Sequence, residues 1–388
     1  MLGRAVPMDF SFTAEQELVR KTVRDFAEKE LAPKVPQLEG KQELPRDIIK
    51  NIGEMGLIGV IIPEEYGGSP MGHVARMISI EEISRVCGSI GLFLQSTPLG
   101  LWAILRFGTE EQKEKYIPPV VSGEKIICMA VTEPTGGSDP SAMETTARRV
   151  DDGYVVNGRK CFITNGSVAD YCVFAARTGE GSKGLSVFVV EKGTAGFEPG
   201  RVETHAGFTA VGVSELFFSD CIIPEKNLIG SEGQGFRIAL TSIYEIGRLG
   251  NAAVSLGVAM AAKEAAIRFA KERKLYGKPI ADLQAIQFLL ADMDMETEAA
   301  RWLAYHAAWL LDQGKTSREI PKEICRAKAY ASEVARRAAM TAIQIHGAYG
   351  TLPEFHVIRY LRDALEGISS AGTNEIMRLI IAGELMKD

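Results

Sequence analysis

The 388-residue sequence has no Cys-x-x-Cys pair, no uninterrupted apolar run long enough to span a bilayer, no basic excess and no low-complexity tract. Each absence removes a class of function. Six cysteines, at positions 87, 128, 161, 172, 221 and 325, stand singly among apolar neighbours. That usage suits reduced core thiols in a cytoplasmic protein and supplies neither a disulfide framework nor a zinc site. The five histidines show no ligand spacing, so no metal is expected. A formal charge of −6, with 44 basic residues interspersed among 50 acidic ones, leaves no basic field for nucleic acid. The longest apolar runs, such as 256–262, are too short and interrupted for a membrane span. The first seven residues lack the apolar centre of a signal peptide, and Met8 offers an alternative start that would make them dispensable.

What remains is a chain with 46% hydrophobic residues and mean hydropathy near zero, long enough for two or three subdomains with real cores. Residues 1–125 read as an all-helical domain, opening with an amphipathic segment at 13–31 that Pro33 should stop. Over 126–232 the apolar period falls to two. A strand at 154–156 is expected to turn at Asn157-Gly158, with further strands at 171–176, 185–190 and 216–223, giving a small antiparallel β domain. From 233 to 388 the helical period returns in four segments, near 236–273, 280–313, 319–347 and 353–386, which predicts a four-helix bundle. Helix, sheet, helix in series is an α+β order, not the alternation of a doubly wound sheet. The Gly230-Ser231-Glu232-Gly233-Gln234-Gly235 run has no strand-turn-helix-strand unit around it, so it is not read as a dinucleotide loop.

Two stretches carry chemistry. Met129-Ala130-Val131-Thr132-Glu133-Pro134-Thr135-Gly136-Gly137-Ser138-Asp139 runs from a short apolar strand into a turn rich in glycine and hydroxyls. Pro134 fixes one φ, the glycines let a ligand approach the backbone, and Thr132 and Ser138 add hydroxyls beside N–H groups, an arrangement that suits a flat polar ring and a phosphate. An ordinary surface turn has the same composition. Near the C-terminus, Gln344-Ile345-His346-Gly347-Ala348-Tyr349-Gly350 ends a helix and precedes Arg359, Arg362 and Asp363 at helical spacing.

On these stretches the chain resembles the acyl-CoA dehydrogenase family of flavoproteins, whose two signatures match 130–142 and 344–363. Ala348 and Thr351 depart from the second signature. Phe162-Ile163-Thr164-Asn165-Gly166, Pro224-Glu225-Lys226-Asn227-Leu228-Ile229-Gly230 and Arg273-Lys274-Leu275-Tyr276-Gly277-Lys278-Pro279-Ile280 extend the likeness along almost the whole chain. The resemblance implies noncovalent FAD held by Met129, Val131, Thr132, Gly137, Ser138, Phe162, Thr164, Gln284, Gln344, Gly347, Ala348, Thr373 and Glu375. It also implies Arg273 reaching the pyrophosphate across a subunit interface, a homotetramer built as a dimer of dimers, and an electron-transferring flavoprotein as partner. For the acyl-CoA substrate it implies contacts from Gln95, Ser138, Tyr244, Glu245, Arg248, Ser370, Ala371 and Gly372. Polar candidates for the acyl tail on the helix near 83–107 are Arg85, Gln95, Ser96, Thr97 and Arg106.

One expected residue is missing. Relatives supply a glutamate to take the α-proton, either at the position of Ala371 or, in a minority branch, at that of Gly247. Glu245 is offset from Gly247 by roughly 200° of helix, and Glu366 lies five residues before Ala371; both are weak substitutes. Position 245 is expected to face the CoA arm or solvent. Three readings stand open: a dehydrogenase of an unusual acyl-CoA (cyclic, branched or dicarboxylic), a flavin-containing lyase or desulfinase without net oxidation, and a nonenzymatic acyl-CoA-binding flavoprotein.

Overall fold

A computed structural model describes residues 11–387; the alternative start at Met8 lies outside them. The N-terminal part is helical: α1 Ala14–Phe26, α2 Val35–Leu38, α3 Arg46–Glu54, α4 Gly72–Val86, α5 Gly88–Phe107 and α6 Glu110–Val121. Capping boxes fix two starts, Thr13 with Gln16 at α1 and Thr109 with Gln112 at α6. Pro33 does not stop the first segment. It sits in the first turn of a short 3₁₀ stretch, where its missing N–H has no partner to lose, and the chain continues helically to Leu38. Helix α5 is long and apolar enough to cross a membrane by length and composition, but nearly all of it is buried in protein.

The middle part forms one sheet from β1 Ile127–Ala130, β2 Thr146–Val150, β3 Gly153–Thr164, β4 Tyr171–Arg177, β5 Leu185–Glu191, β6 Phe197–Val202, β7 Val213–Pro224 and β8 Leu228–Ile229. Strand order is β6-β7-β3-β2-β4-β5-β8, with β1 paired to β4. It is not wholly antiparallel, because β1 runs parallel to β4 and β2 touches β4 in parallel at one residue pair. The turn expected at Asn157-Gly158 is a bulge instead. Gly158, at φ +155°, lets β3 slip register against β7 and run on to Thr164, and a second irregularity falls between Lys160 and Ile163.

Helices α7 Gly235–Ser242 and α8 Leu249–Glu272 are joined through a π turn over Ile243–Arg248. Helices α9 Gln284–Asp312 and α10 Pro321–His346 follow, then α11 Val357–Ser369 and α12 Asn374–Leu385. The fourth bundle segment is therefore two helices. Ala371 and Gly372, at φ +56° and +98°, break the run, and the Thr373 side chain caps α12 by accepting from Ile376 N.

A loop from the sheet clamps α11. Phe208 N donates to Asp363 (2.6 Å), Gly207 N donates to Glu366 (2.7 Å), and His205 lies between Glu366 (Nδ1, 3.0 Å) and the Val211 carbonyl (Nε2, 2.9 Å). Both ring nitrogens face acceptors, so the imidazolium form alone satisfies them. The Glu366 bond raises the His205 pKa above its ordinary 6.5, with burial opposing. A pKa raised in the folded state adds stability that is complete below 6.5 and lost as pH climbs through the folded value. Thermal unfolding in a pH series is expected to show a midpoint that falls above pH 6.5, and His205→Gln should flatten that slope; equal slopes in both proteins would refute the assignment.

Candidate active site

The glycine-rich turn after β1 is anchored from beneath by a buried ion pair. Lys160, fully buried on β3, reaches Glu133 (2.7 Å), whose carboxylate also accepts from Glu144 N (2.5 Å) and Thr145 N (3.0 Å). Burial drags the Lys160 ammonium down to about 8 against the pull of Glu133. Cys161 N donates to Thr132 O (3.0 Å), so Phe162 stands beside the turn. Its ring is 67% exposed and its φ is +57°, a strained backbone for a bulky residue at a strand irregularity. Gly137 packs so closely on Thr132 that a Cβ there would meet its methyl at 3.0 Å, and Pro134 to Asp139 are exposed. An exposed, strained aromatic beside open backbone fits the flat ring of the flavin that the resemblance implies.

A second exposed group closes the ends of α8 and α10. The Arg273 guanidinium lies 5.5 Å over the Tyr349 ring, and Gln284, Gln344, Gly347 and Ala348 are solvent-facing nearby in sequence. Phe269, His346 and Phe355 pack beneath Tyr349. Arg273 has no carboxylate partner within 4 Å among the described residues, which leaves its fork free for an anion. Glu375 pairs with Arg378 at the surface (3.3 Å).

Gly247 and Ala371, the two positions at which the resemblance implies a base, come together. A Cβ built on Gly247 would stand 3.5 Å from the Ala371 Cβ and 3.3 Å from Leu99. Two buried cations frame this spot. Arg248, 3% exposed, stacks 3.5 Å from the Tyr244 ring centroid and donates from Nε to Ala371 O (3.3 Å). Lys328 Nζ donates to Ile368 O (2.7 Å), Gly372 O (2.8 Å) and Asn374 Oδ1 (2.9 Å). Burial, then the charge of Arg248, lowers the Lys328 ammonium to about 7. On the other side, Gln95 Nε2 donates to Gly247 O (3.1 Å), and Arg76, 3% exposed, donates to Gln95 O and Ile246 O. A π turn shifts the carbonyl register, and these two side chains take up carbonyls it displaces.

The weak substitutes for the base are engaged elsewhere. Glu245 is neither an exposed acid nor free: it is 6% exposed, and its oxygens accept from Trp102 Nε1 (2.8 Å) and the Ser317 hydroxyl (2.8 Å). The rotation expected from a regular helix does not apply through a π turn, but the side chain still points to α5 and the segment before α10. Glu366 is held by His205 and Gly207. Ser96 and Thr97 turn their hydroxyls back onto Phe93 O, Ser370 bonds Glu366 O, and Arg85 is tied to Glu28, Glu82 and Glu264. Of the tail candidates, Gln95 keeps a buried, unpartnered amide oxygen. Sequence reasoning missed Arg76, Lys160 and Lys328; each is a cation at an apolar position of its element, and that mismatch with the pattern was the available signal.

Comparison with known proteins covers the whole fold. Family models described as the N-terminal, middle and C-terminal domains of acyl-CoA dehydrogenase match residues 13–124, 128–221 and 233–386. An acyl-CoA dehydrogenase of Bacillus subtilis is 45% identical over 377 residues, 96% of this chain and 98% of that protein. The caffeyl-CoA reductase-Etf complex subunit CarC of Acetobacterium woodii is 40% identical, covering 97% and 99%. The butyryl-CoA dehydrogenase structure from Megasphaera elsdenii superposes with a TM-score of 0.94 at 38% identity, covering 98% and 100%.

The Lys160–Glu133 pair generates a direct expectation. Glu133→Gln leaves a buried ammonium without its counter-charge and should lower stability by roughly 3 kcal/mol, with FAD affinity falling as the turn loosens. Adding Lys160→Met should recover part of the stability. Urea unfolding and FAD titration of the three proteins test this, and an unaltered Glu133→Gln protein would show that the pair does not hold the turn.

Proposed function

This chain belongs to the acyl-CoA dehydrogenase family, and on that premise we propose that it acts at the α,β bond of an acyl-CoA other than a simple straight-chain one. It is an FAD-dependent oxidoreductase of CH–CH bonds. Bound FAD supplies the two-electron acceptor for the β-hydride. The protein's own residues orient the thioester and dispose of the α-proton, which is too weakly acidic to leave without a base. The observation that carries the reading is the pair Gly247 and Ala371, 3.5 Å apart by their β positions and neither able to bear a proton. A substrate handled here needs a different proton acceptor, or its own activation. Residues proposed for FAD are those of the turn and its neighbours, Met129, Val131, Thr132, Gly137, Ser138, Phe162 and Thr164, together with Arg273, Gln284, Gln344, Gly347, Ala348, Thr373 and Glu375.

Electron-transferring flavoprotein is the proposed partner, supported by a relative that is a subunit of an Etf complex. A homotetramer is proposed too. Helix α9 exposes Phe288, Met295, Trp302 and Trp309 at seven-residue spacing, each 48% exposed or more, an apolar seam of the kind that packs against a second helix. Light scattering of the FAD-loaded protein should return four times the 42.2 kDa chain mass; a monomer that retains FAD would overturn the assembly and the cross-subunit role of Arg273.

Ala371→Glu is expected to create or raise bleaching of the flavin by butyryl-CoA, since a positioned base contributes about 10²–10⁴-fold. Position 371 already has a left-handed backbone with a Cβ in place, so the longer side chain adds no new backbone strain. Glu245→Gln should retain turnover of the native substrate. If Glu245→Gln is inactive with FAD bound and Ala371→Glu is silent, Glu245 is the base. Turnover of an acyl-CoA without bleaching would replace dehydrogenation by elimination.

A further inference from the structure

Lys328 holds the break between α11 and α12 with every donor it has. It lies fully buried on α10, and its Nζ donates to Ile368 O (2.7 Å), Gly372 O (2.8 Å) and Asn374 Oδ1 (2.9 Å). Three acceptors need three N–H groups, which only the ammonium form carries. The acceptors cannot turn away. Two are backbone carbonyls, and the third belongs to a fully buried amide whose Nδ2 already donates to Ser332 Oγ (3.0 Å) and Glu333 Oε1 (3.2 Å), so that its oxygen must face Lys328. A neutral amine would keep two N–H groups and turn its lone pair on the oxygen that had lost its donor.

The surroundings work against the proton. The acids that face Lys328 are engaged with other cations, Glu333 on α10 with Arg336 and Arg378, and Glu375 on α12 with Arg378. Arg248 comes in from the π turn beside Ala371, and burial keeps the Cys325 thiol, one turn earlier on α10, neutral. From α8, Asn251 and Ser255 face the same stretch of α11 and are uncharged. Burial and then Arg248 outweigh Glu375, Cys325 and Glu333, which leaves the ammonium at about 7. Two further groups titrate at the far side of α11: Asp363, raised by burial to about 6, and His205, raised by Glu366.

We propose that Lys328 is a positioning residue whose ammonium form sets Ser370 to Gly372 against Gly247, and that loss of its proton releases this loop and weakens the hold of the site on an acyl thioester. The second half rests on the acyl-CoA reading; the response of the loop does not. Lys328 acts through Ile368 O, Gly372 O and Asn374, not by contact with a ligand. Once it is neutral, the loop keeps only the longer bond from Arg248 Nε to Ala371 O, at 3.3 Å. The two-state element is the break itself, fixed while three donors hold it and frayed when one is lost.

Hydrogen exchange of the FAD-loaded protein at pH 6.5 and pH 9, each referred to the intrinsic rate at that pH, reads the loop directly. Protection over residues 370–377 should fall about tenfold at the higher pH, the equivalent of one hydrogen bond, and the dissociation constant of butyryl-CoA by calorimetry should rise by about the same factor. His205→Gln should keep both changes. Lys328→Met should show low protection and weak binding at both pH values, with no step between them; a step that persists in it belongs to Asp363 or His205 and overturns the inference. Should Lys328→Met fail to hold FAD, the midpoint of the step in the unmodified and His205→Gln proteins decides: near 7 it supports Lys328, and below 6.5 it overturns it. Equal protection at both pH values in the unmodified protein, or altered protection with unaltered affinity, also overturns it. Absence of butyryl-CoA binding at either pH, with the loop still responding, overturns the acyl-CoA reading and leaves the control of the loop by Lys328 standing.

Discussion

The interruption between α11 and α12 depends on two buried cations. Four residues, Ser370 to Thr373, leave the helix, and their carbonyls and those of the preceding turn lose intrahelical partners. Lys328 from α10 takes Ile368 O and Gly372 O, and Arg248 from the π turn takes Ala371 O. A buried carbonyl left unpaired costs on the order of 1–3 kcal/mol, so three such bonds decide whether this segment is a defined loop or a frayed end. The same bonds bring Ala371 against Gly247. Bundle packing and the juxtaposition of Ala371 with Gly247 are thus a single constraint.

The π turn works toward the same end. A regular helix through Ile243–Arg248 would keep its carbonyls for its own N–H groups; the wider turn offers Ile246 O and Gly247 O to Arg76 and Gln95. α4, α5 and α8 are thereby tied at the height of Gly247. Small residues allow the approach, since a Cβ on Gly250 would strike Gln95 and Arg76. On the sheet side, Lys160 and Glu133 do for the glycine-rich turn what Lys328 and Arg248 do for the bundle loop. In both places an irregular backbone is fixed by a buried charge, and the exposed or reactive face is left to small residues and Phe162.

Periodicity made the three-part architecture readable. A period near 3.6, then two, then 3.6 again located the helical domains and the sheet, and the signatures around 130–142 and 344–363 located the family. The boundaries were less legible. Pro33 reads as a stop because proline removes a donor, but in the first turn of a helical stretch no donor is needed. Gly158 reads as a turn because glycine permits positive φ, and the same freedom builds a bulge within one long strand. The segment 353–386 reads as one helix by its period, whereas the backbone at Ala371 and Gly372 is left-handed and Arg248 and Lys328, from elsewhere in the bundle, take the carbonyls freed there.

By itself the sequence determined which residue types are present and which are not: no glutamate at 371 or 247, an arginine at 248, and an aromatic at 162 beside a glycine-rich turn. Those are facts of covalent order, and no fold alters them. Whether a charged residue is solvated or buried is set by what packs over it, and that is a matter of tertiary structure. Glu245 could be an exposed acid or a base until Trp102 and Ser317, 143 and 72 residues away, were seen to enclose it. Lys328 and Arg76 stand at apolar positions of their helices, and only the packing of the neighbouring elements shows that both are buried. The cluster of Arg248, Lys328 and Arg76 is buried because elements distant in sequence pack over all three, and local sequence hints at that only through basic residues at apolar positions.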